Sequence, residues 1–346
     1  MTATSKTQTP SIEGLPLAER ADELLDRALE LGSLPASTQS LLELTRRDNA
    51  EIGPVVDALA LNPSLAAAVL RVANSAAYGQ SRSIADLARA VTVIGMQELH
   101  DVVAGTAMMA AFSRPDPLSQ RIQATAVLSA AVAQKLAVKL RAGSASAAYL
   151  SGLMCELGAL ACIALDPRFV DLYVASDGNA RERFSGEADR YGGSTPDIGG
   201  RILAASSLPS EVSQAVATTG LEDGAHEYTL GRVVAFSRLA ADVLVRAAEH
   251  GDPALLRTDL TAAAATVGLE KVDVELLTAT CIAAASDAEL TLRGELALLA
   301  TTPSNDVTPT AASTAAPPKG AGGSTLYIGI GIAVAVLGVA AWFLAK

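Results

Sequence analysis

Aromatic residues make up only 3% of this 346-residue chain, and no long run of alternating β-branched residues occurs in it. Sheet proteins are built from such runs, so the sequence excludes a β-sandwich or a β-barrel. Half of the residues are apolar, which excludes a collagen-like or wholly disordered chain. Because alanine, the strongest helix former, is abundant, the composition predicts an all-α protein.

Positive charge is also scarce, with 26 basic against 37 acidic residues and a net charge of −11. Proteins that bind nucleic acid or anionic lipid neutralise the negative charge of the phosphate groups with lysine and arginine. We therefore expect no nucleic-acid partner.

The chain has only three cysteines, Cys155, Cys162 and Cys281, and no C-x-x-C pair. An odd number without paired spacing argues against a disulfide framework and against a zinc knuckle. The cysteines are predicted to be small buried hydrophobic residues in a reducing cytoplasm. Cys155 and Cys162 are seven residues apart, which would place both on one face of a single helix.

Changes in composition divide the chain into four segments. Residues 1–14 are predicted to form a disordered leader, and residues 15–300 have the apolar spacing of a helical domain. In that domain Pro35 and Pro63 are placed to begin helices, and the last helix is predicted over 272–299. Residues 301–324 are rich in Thr, Ala, Pro and Gly, as flexible linkers are. Residues 325–346 are predicted to form a transmembrane helix.

The transmembrane prediction depends on the uncharged stretch 326–345, which is long enough to cross the apolar core of a bilayer. Tyr327 and Trp342 lie near its two ends, where interfacial aromatic residues are common. We expect a single-pass anchor in the cytoplasmic membrane with the body facing the cytoplasm, an orientation that Lys319 favours. Gly331 and Ala335 would give two such helices a small-residue face on which to pair as a homodimer.

Four short motifs occur in order in the first half of the domain. They are Leu34-Pro35, Asn62-Pro63-x-Leu65, Asn74-Ser75-Ala76-x-Tyr78 and Ala90-x-x-x-Ile94-Gly95. Together they resemble the HDOD family, the HD-related output domain of bacterial signalling proteins. The resemblance extends more weakly to about residue 245. It implies a multi-helix bundle, a degenerate member of the HD-domain superfamily, and a role in signal transduction.

The resemblance also shows where this chain departs from the metal-dependent HD phosphohydrolases. Their His-Asp pair aligns with Cys155-Glu156, a later histidine with Thr195-Pro196, and paired histidines with Thr218-Thr219. Metal sites need three or four convergent ligands, and these positions no longer supply them. We therefore expect no metal, no other cofactor and no catalytic residue.

Two other patterns could suggest chemistry. His100-Asp101 is a literal His-Asp pair, but it lies outside the position where the resemblance aligns the metal-binding pair. His226 and His250 stand alone. We therefore interpret the three histidines as packing or surface residues. The Gly192-Gly193 and Gly199-Gly200 pairs lack the strand-to-helix context of a phosphate-binding loop. They are predicted to serve turns or close packing.

Asn74, Ser75 and Tyr78 form a polar group at the end of an apolar helix. They could cap the helix and fix the following turn, or they could form a recognition site. The first interpretation is the simpler one, since buried polar groups need hydrogen-bond partners.

The sequence thus predicts a non-catalytic regulatory module at the cytoplasmic membrane that binds proteins or ligands, its signalling partners unidentified. Two alternatives stay open. One is a metal-dependent phosphohydrolase with a rearranged site, and the other is a nucleotide sensor that does not hydrolyse its ligand.

Overall fold

The protein is described by a computed structural model over residues 14–32, 34–47, 50–74, 78, 83–175, 180–206, 208–218, 229–250 and 254–286. These ranges contain α-helices and no β-strand, which confirms the all-α prediction. The helices are α1 (Leu17–Leu31), α2 (Ala36–Thr45), α3 (Ile52–Ala60), α4 (Pro63–Ala73), α5 (Leu87–Ile94), α6 (Met96–Phe112), α7 (Pro117–Leu140), α8 (Ala145–Met154), α9 (Leu157–Leu165), α10 (Phe169–Ala175), α11 (Ala180–Tyr191), α12 (Thr195–Ala204), α13 (Ser210–Ala217), α14 (Leu230–His250), α15 (Ala254–Thr266) and α16 (Val274–Ser286).

Side-chain caps fix where many of these helices begin. In five of them an oxygen of the N-cap residue accepts a hydrogen bond from a backbone N–H three residues later, and the capping residues are Asn62, Asp86, Asp116, Ser144 and Ser194. Such a cap satisfies one of the backbone donors that the first turn leaves without a partner. The predicted helix starts at Pro35 and Pro63 agree with the observed α2 and α4.

The helices pack around one continuous apolar core. Helices α2 to α6 pack on one another, and α6 joins them to α8 and α9. The long helices α7 and α14 pack against each other and against α8, while α9 packs on α12 and α12 on α13. Helix α1 lies across α9, α11 and α12. The junction between α8 and α9 therefore lies deep in the body.

Glycine makes two features of this packing possible, the junction of α5 with α6 and the crossing of α9 with α12. Gly95 has φ +85°, a backbone conformation that favours glycine, and it separates α5 from α6. At the crossing of α9 and α12, a Cβ atom on Gly158 would lie 2.0 Å from the carbonyl oxygen of Thr195. Gly199 and Gly200 lie inside α12, where they allow close packing and do not form a loop.

The expectation of a shared helix face for Cys155 and Cys162 is wrong. Helix α8 ends at Met154 and α9 begins at Leu157, so the two cysteines belong to different helices. Both are buried and free, as is Cys281, in keeping with their prediction as small hydrophobic residues. Of the final helix predicted over 272–299, the structure describes Val274–Ser286.

One described segment, Ala145–Leu165, is long and apolar enough to cross a membrane. It comprises α8 and α9 and is almost entirely buried inside the body, so it forms part of the core. Residues 1–13 of the predicted leader, the linker 301–324 and the predicted membrane segment 325–346, with Gly331 and Ala335, lie outside the described residues.

Candidate functional site

The candidate site lies where the family resemblance places the His-Asp pair, at the junction of α8 and α9. Cys155 ends α8, and Glu156 occupies the N-cap position of α9. Both residues are only 2% exposed. A carboxyl group buried this deeply needs charged or hydrogen-bonding partners, because burial without them is costly.

Two arginines supply the charge opposite Glu156. Arg183 of α11 places Nη2 4.0 Å from Oε1 of Glu156. Arg238 of α14 is 2% exposed, and its guanidinium and the Glu156 carboxyl each shift the pKa of the other. Burial raises the pKa of Glu156, and the positive charges of Arg183 and Arg238 oppose that rise.

Aromatic rings hold the two guanidinium groups in place. Arg183 lies 4.8 Å from the ring centre of Tyr173 and 5.0 Å from that of Phe184. Arg238 stacks on Phe184 at 4.8 Å. The ring of Phe184 thus contacts both arginines. Such contacts are strengthened where both groups are withdrawn from water.

Glu187 extends the ionic cluster to α12. Its Oε1 atom lies 3.5 Å from Nε of Arg183, one helical turn earlier on α11. Its Oε2 atom accepts hydrogen bonds from the backbone N–H of Thr195 at 2.7 Å and from the Thr195 hydroxyl at 2.9 Å. Thr195 is therefore bonded to a carboxylate in the place where the resemblance aligns a histidine.

We define the ionic cluster as Glu156, Arg183, Glu187 and Arg238. Two carboxyl groups face two guanidinium groups, so the cluster is neutral when both acids are ionised and positive when either is protonated. The charge of Asp242 also acts on Glu156, but Asp242 is itself paired with Arg121 and Arg246. The site therefore offers a divalent cation no excess of negative charge.

The neighbouring thiol of Cys155 does not supply a metal ligand either. Burial, followed by the charge of Glu156, raises the pKa of Cys155 to about 12, so this residue is a neutral thiol at physiological pH. Metals bind the thiolate form. No group of three or more His, Cys, Asp or Glu residues that could hold a metal ion occurs within the described ranges. The residues at this site do not fit the metal that HD phosphohydrolases use.

A second polar group lies beside the ionic cluster. Asp166, at the end of α9, is an ion-pair partner of Arg168 and Arg190 and accepts a hydrogen bond from the Tyr191 hydroxyl at 3.2 Å. Burial acts to raise the pKa of Asp166, but the hydrogen bonds and positive charge of Arg168, with that of Arg190, hold it below its ordinary value. Asp166 is therefore a stable anion that ties α9 to α11.

The Asn74 side chain forms hydrogen bonds with backbone groups on both sides of the segment that follows α4. Its side chain is exposed, yet Nδ2 donates to the carbonyl oxygens of Leu70 at 2.7 Å and Ile84 at 2.8 Å, and Oδ1 accepts from the Ile84 N–H at 2.6 Å. Tyr78, half-buried, donates to Oε2 of Glu98. Ser75, the third residue of the predicted polar group, lies outside the described residues.

The remaining predicted positions do not converge on the ionic cluster. His100 is buried against Thr45 of α2, with Nδ1 2.9 Å from the threonine hydroxyl oxygen, and burial lowers the pKa of its imidazole. Thr218 ends α13 and donates to the carbonyl oxygen of Gln214. Thr219, His226 and the side chain of His250 lie outside what the structure describes.

Sequence reasoning identified Glu156 but missed its partners. Arg183 and Glu187 have the i, i+4 spacing of an ordinary surface ion pair in a strongly charged helix. Their burial comes only from the docking of α11 on the body. Arg238 carried a clearer signal, since it is a charged residue among the apolar and small residues on the buried side of α14.

Together, the all-α fold and the order of its helices define a multi-helix bundle with a buried ionic cluster at the junction of α8 and α9. Residues 31–220 match the HDOD domain. The chain belongs to the HDOD domain family. No curated protein matches it in sequence.

Solved structures share this fold. A protein from Shewanella amazonensis SB2B, provisionally named a phosphohydrolase, is 21% identical with a TM-score of 0.56 over 79% of this chain and 97% of its own. An HDOD domain protein of unknown function from Geobacter sulfurreducens is 17% identical, with a TM-score of 0.50 over 78% and 98%. A protein from Marinobacter aquaeolei VT8, provisionally named a signal transduction protein, is 22% identical, with a TM-score of 0.50 over 82% and 66%.

Proposed function

We propose that this protein is a non-catalytic regulatory module of signal transduction that acts by binding a protein or ligand. One observation carries the proposal: the carboxyl group of Glu156, at the position where the resemblance aligns a His-Asp pair, faces the guanidinium groups of Arg183 and Arg238. A metal that activates water for attack on phosphorus would need open coordination positions and deprotonated ligands there. The arginines supply positive charge and no ligand atoms.

Membership of the HDOD family and the name of the Marinobacter protein support the signalling part of the proposal. The name of the Shewanella protein keeps hydrolysis as the alternative to be tested. The cytoplasmic membrane is the proposed location, on the evidence of the apolar stretch 326–345.

The decisive experiment measures metal content and turnover on the purified full chain. After dialysis against Mn²⁺ or Mg²⁺ we expect no stoichiometric metal and no hydrolysis of phosphomonoesters or cyclic dinucleotides. Hydrolysis that Glu156→Ala abolishes and the surface variant Asp22→Ala retains would overturn the proposal. In the same preparation, a nucleotide that raises the Tm without being hydrolysed would identify the ligand class and favour the sensor alternative.

A further inference from the structure

Helix α11 carries two members of the ionic cluster, Arg183 and Glu187, yet its composition is unlike that of a core helix. Its sequence, ARERFSGEADRY, is mostly charged or polar. From residue 182 onward only Phe184, Glu187 and Tyr191 are buried, so just two aromatic rings contribute a large apolar contact. Apolar burial supplies most of the affinity of a helix for its core. Helix α11 therefore depends on polar contacts to stay docked.

These polar contacts reach three different parts of the body. Arg183 pairs with Glu156, Glu187 accepts two hydrogen bonds from Thr195, and Tyr191 donates to Asp166. At its outer end, the carbonyl oxygen of Arg190 accepts a hydrogen bond from the Arg20 side chain. The docked position of α11 is thus well defined.

The same contacts are incompletely satisfied. Nε of Arg183 and Oε1 of Glu187 are 3.5 Å apart without the geometry of a hydrogen bond, and both atoms are buried with no hydrogen-bond partner. A buried polar atom that loses its water without gaining a bond opposes docking. Part of the interaction that holds α11 in place is therefore offset by desolvation.

We propose that α11 is a latch that undocks from Glu156 and Thr195, and so opens the ionic cluster, while the rest of the body stays folded, with Arg183 as the cation that closes it. Helices with few buried apolar contacts open locally at a lower free energy than the global unfolding of the protein. Undocking would expose Glu156 and Thr195 to solvent. The latch is independent of the proposed function, since it concerns opening and not catalysis or signalling.

Cys162 provides a native reporter of this opening. It is fully buried in α9, and the charges of Glu187 and Asp166 both act on its thiol. Cys281 is also fully buried, but it lies in α16. The charge that acts on its thiol is that of Lys139 of α7 and not a charge of α11. Opening of α11 should expose Cys162 and leave Cys281 buried.

The test is labelling of the full chain with N-ethylmaleimide, resolved by peptide mass spectrometry with cleavage after Glu156 to separate Cys155 from Cys162. In the unmodified protein, Cys162 should react faster than Cys281, and its rate should rise less steeply with urea, because a local opening exposes less surface. A common rate and a common urea dependence for the two cysteines would overturn the proposal.

A set of variants tests whether Arg183 holds α11 in its docked position. Arg183→Met should raise the rate of Cys162 relative to Cys281 by about tenfold, as expected when one buried charged contact is removed, and Arg183→Lys should give a smaller rise. Arg201→Met, which removes an arginine from the exposed pair with Asp22, should leave the ratio unchanged. An unchanged ratio in Arg183→Met would contradict the role of Arg183. If that variant fails to fold, the urea comparison in the unmodified protein decides.

Discussion

At the scale of single residues, side chains that bridge chain segments define the local structure next to the HDOD motifs. Asn74 ends α4 and holds both backbone groups of Ile84, ten residues away. Ile84 is itself 3% exposed and part of the core. An exposed asparagine thereby fixes a buried position, which gives this motif residue a structural role.

Asn74→Leu should destabilise the protein by about 1–3 kcal/mol, because both backbone groups of Ile84 lose their partner near the core. Urea denaturation of the full chain would measure the change. Gln39→Leu is the matched control, since it removes an exposed amide that donates a single hydrogen bond to the Leu34 carbonyl oxygen, and it should lose less. Full stability in Asn74→Leu together with loss of a binding partner would favour the recognition interpretation.

At the scale of helices, the position of the candidate site depends on how closely α9 approaches α12. Gly158 near the start of α9 and Gly199 of α12 meet at this crossing with no side chain between them. The close approach brings Thr195 beside the junction that carries Glu156. Small residues at this crossing are therefore needed for the ionic cluster to form.

Gly158→Ala should force α9 and α12 apart and lower the free energy of unfolding, by an amount near or above the ~1–3 kcal/mol of ordinary overpacking. The added Cβ atom would meet backbone atoms, which cannot move aside as a flexible side chain can. Gly14→Ala is the control, because a Cβ atom there meets nothing within 4 Å and should leave the free energy of unfolding nearly unchanged. Equal unfolding midpoints for the two variants would contradict this account of the crossing.

At the scale of the whole molecule, the chain combines an acidic helical body with an uncharged apolar stretch at residues 326–345. Among the residues that the structure describes, one segment is apolar enough to span a membrane, Ala145–Leu165, and it is buried in the core. We assign the proposed membrane attachment to residues 326–345. This assignment can be tested by removing them.

Cell fractionation should place the full chain in the membrane after a high-salt wash, and a version ending at Ser324 in the soluble fraction. Twenty uncharged residues can cross the apolar core as a helix, and salt does not weaken apolar burial as it weakens charge contacts. Protease added outside spheroplasts should leave the body intact. A soluble full chain, or digestion of the body from outside, would contradict the anchor or its orientation.

The sequence by itself determined the helical class, the starts of α2 and α4 and the family, because proline positions, cap residues and apolar spacing are local signals. It also singled out Glu156, through the motif position that the resemblance aligns with a His-Asp pair. Only the tertiary structure showed which side chains surround this carboxyl group. Arg183 and Glu187 come from α11 and Arg238 from α14, all distant in sequence from Glu156. A charged residue acquires a buried role only through the packing that removes it from water.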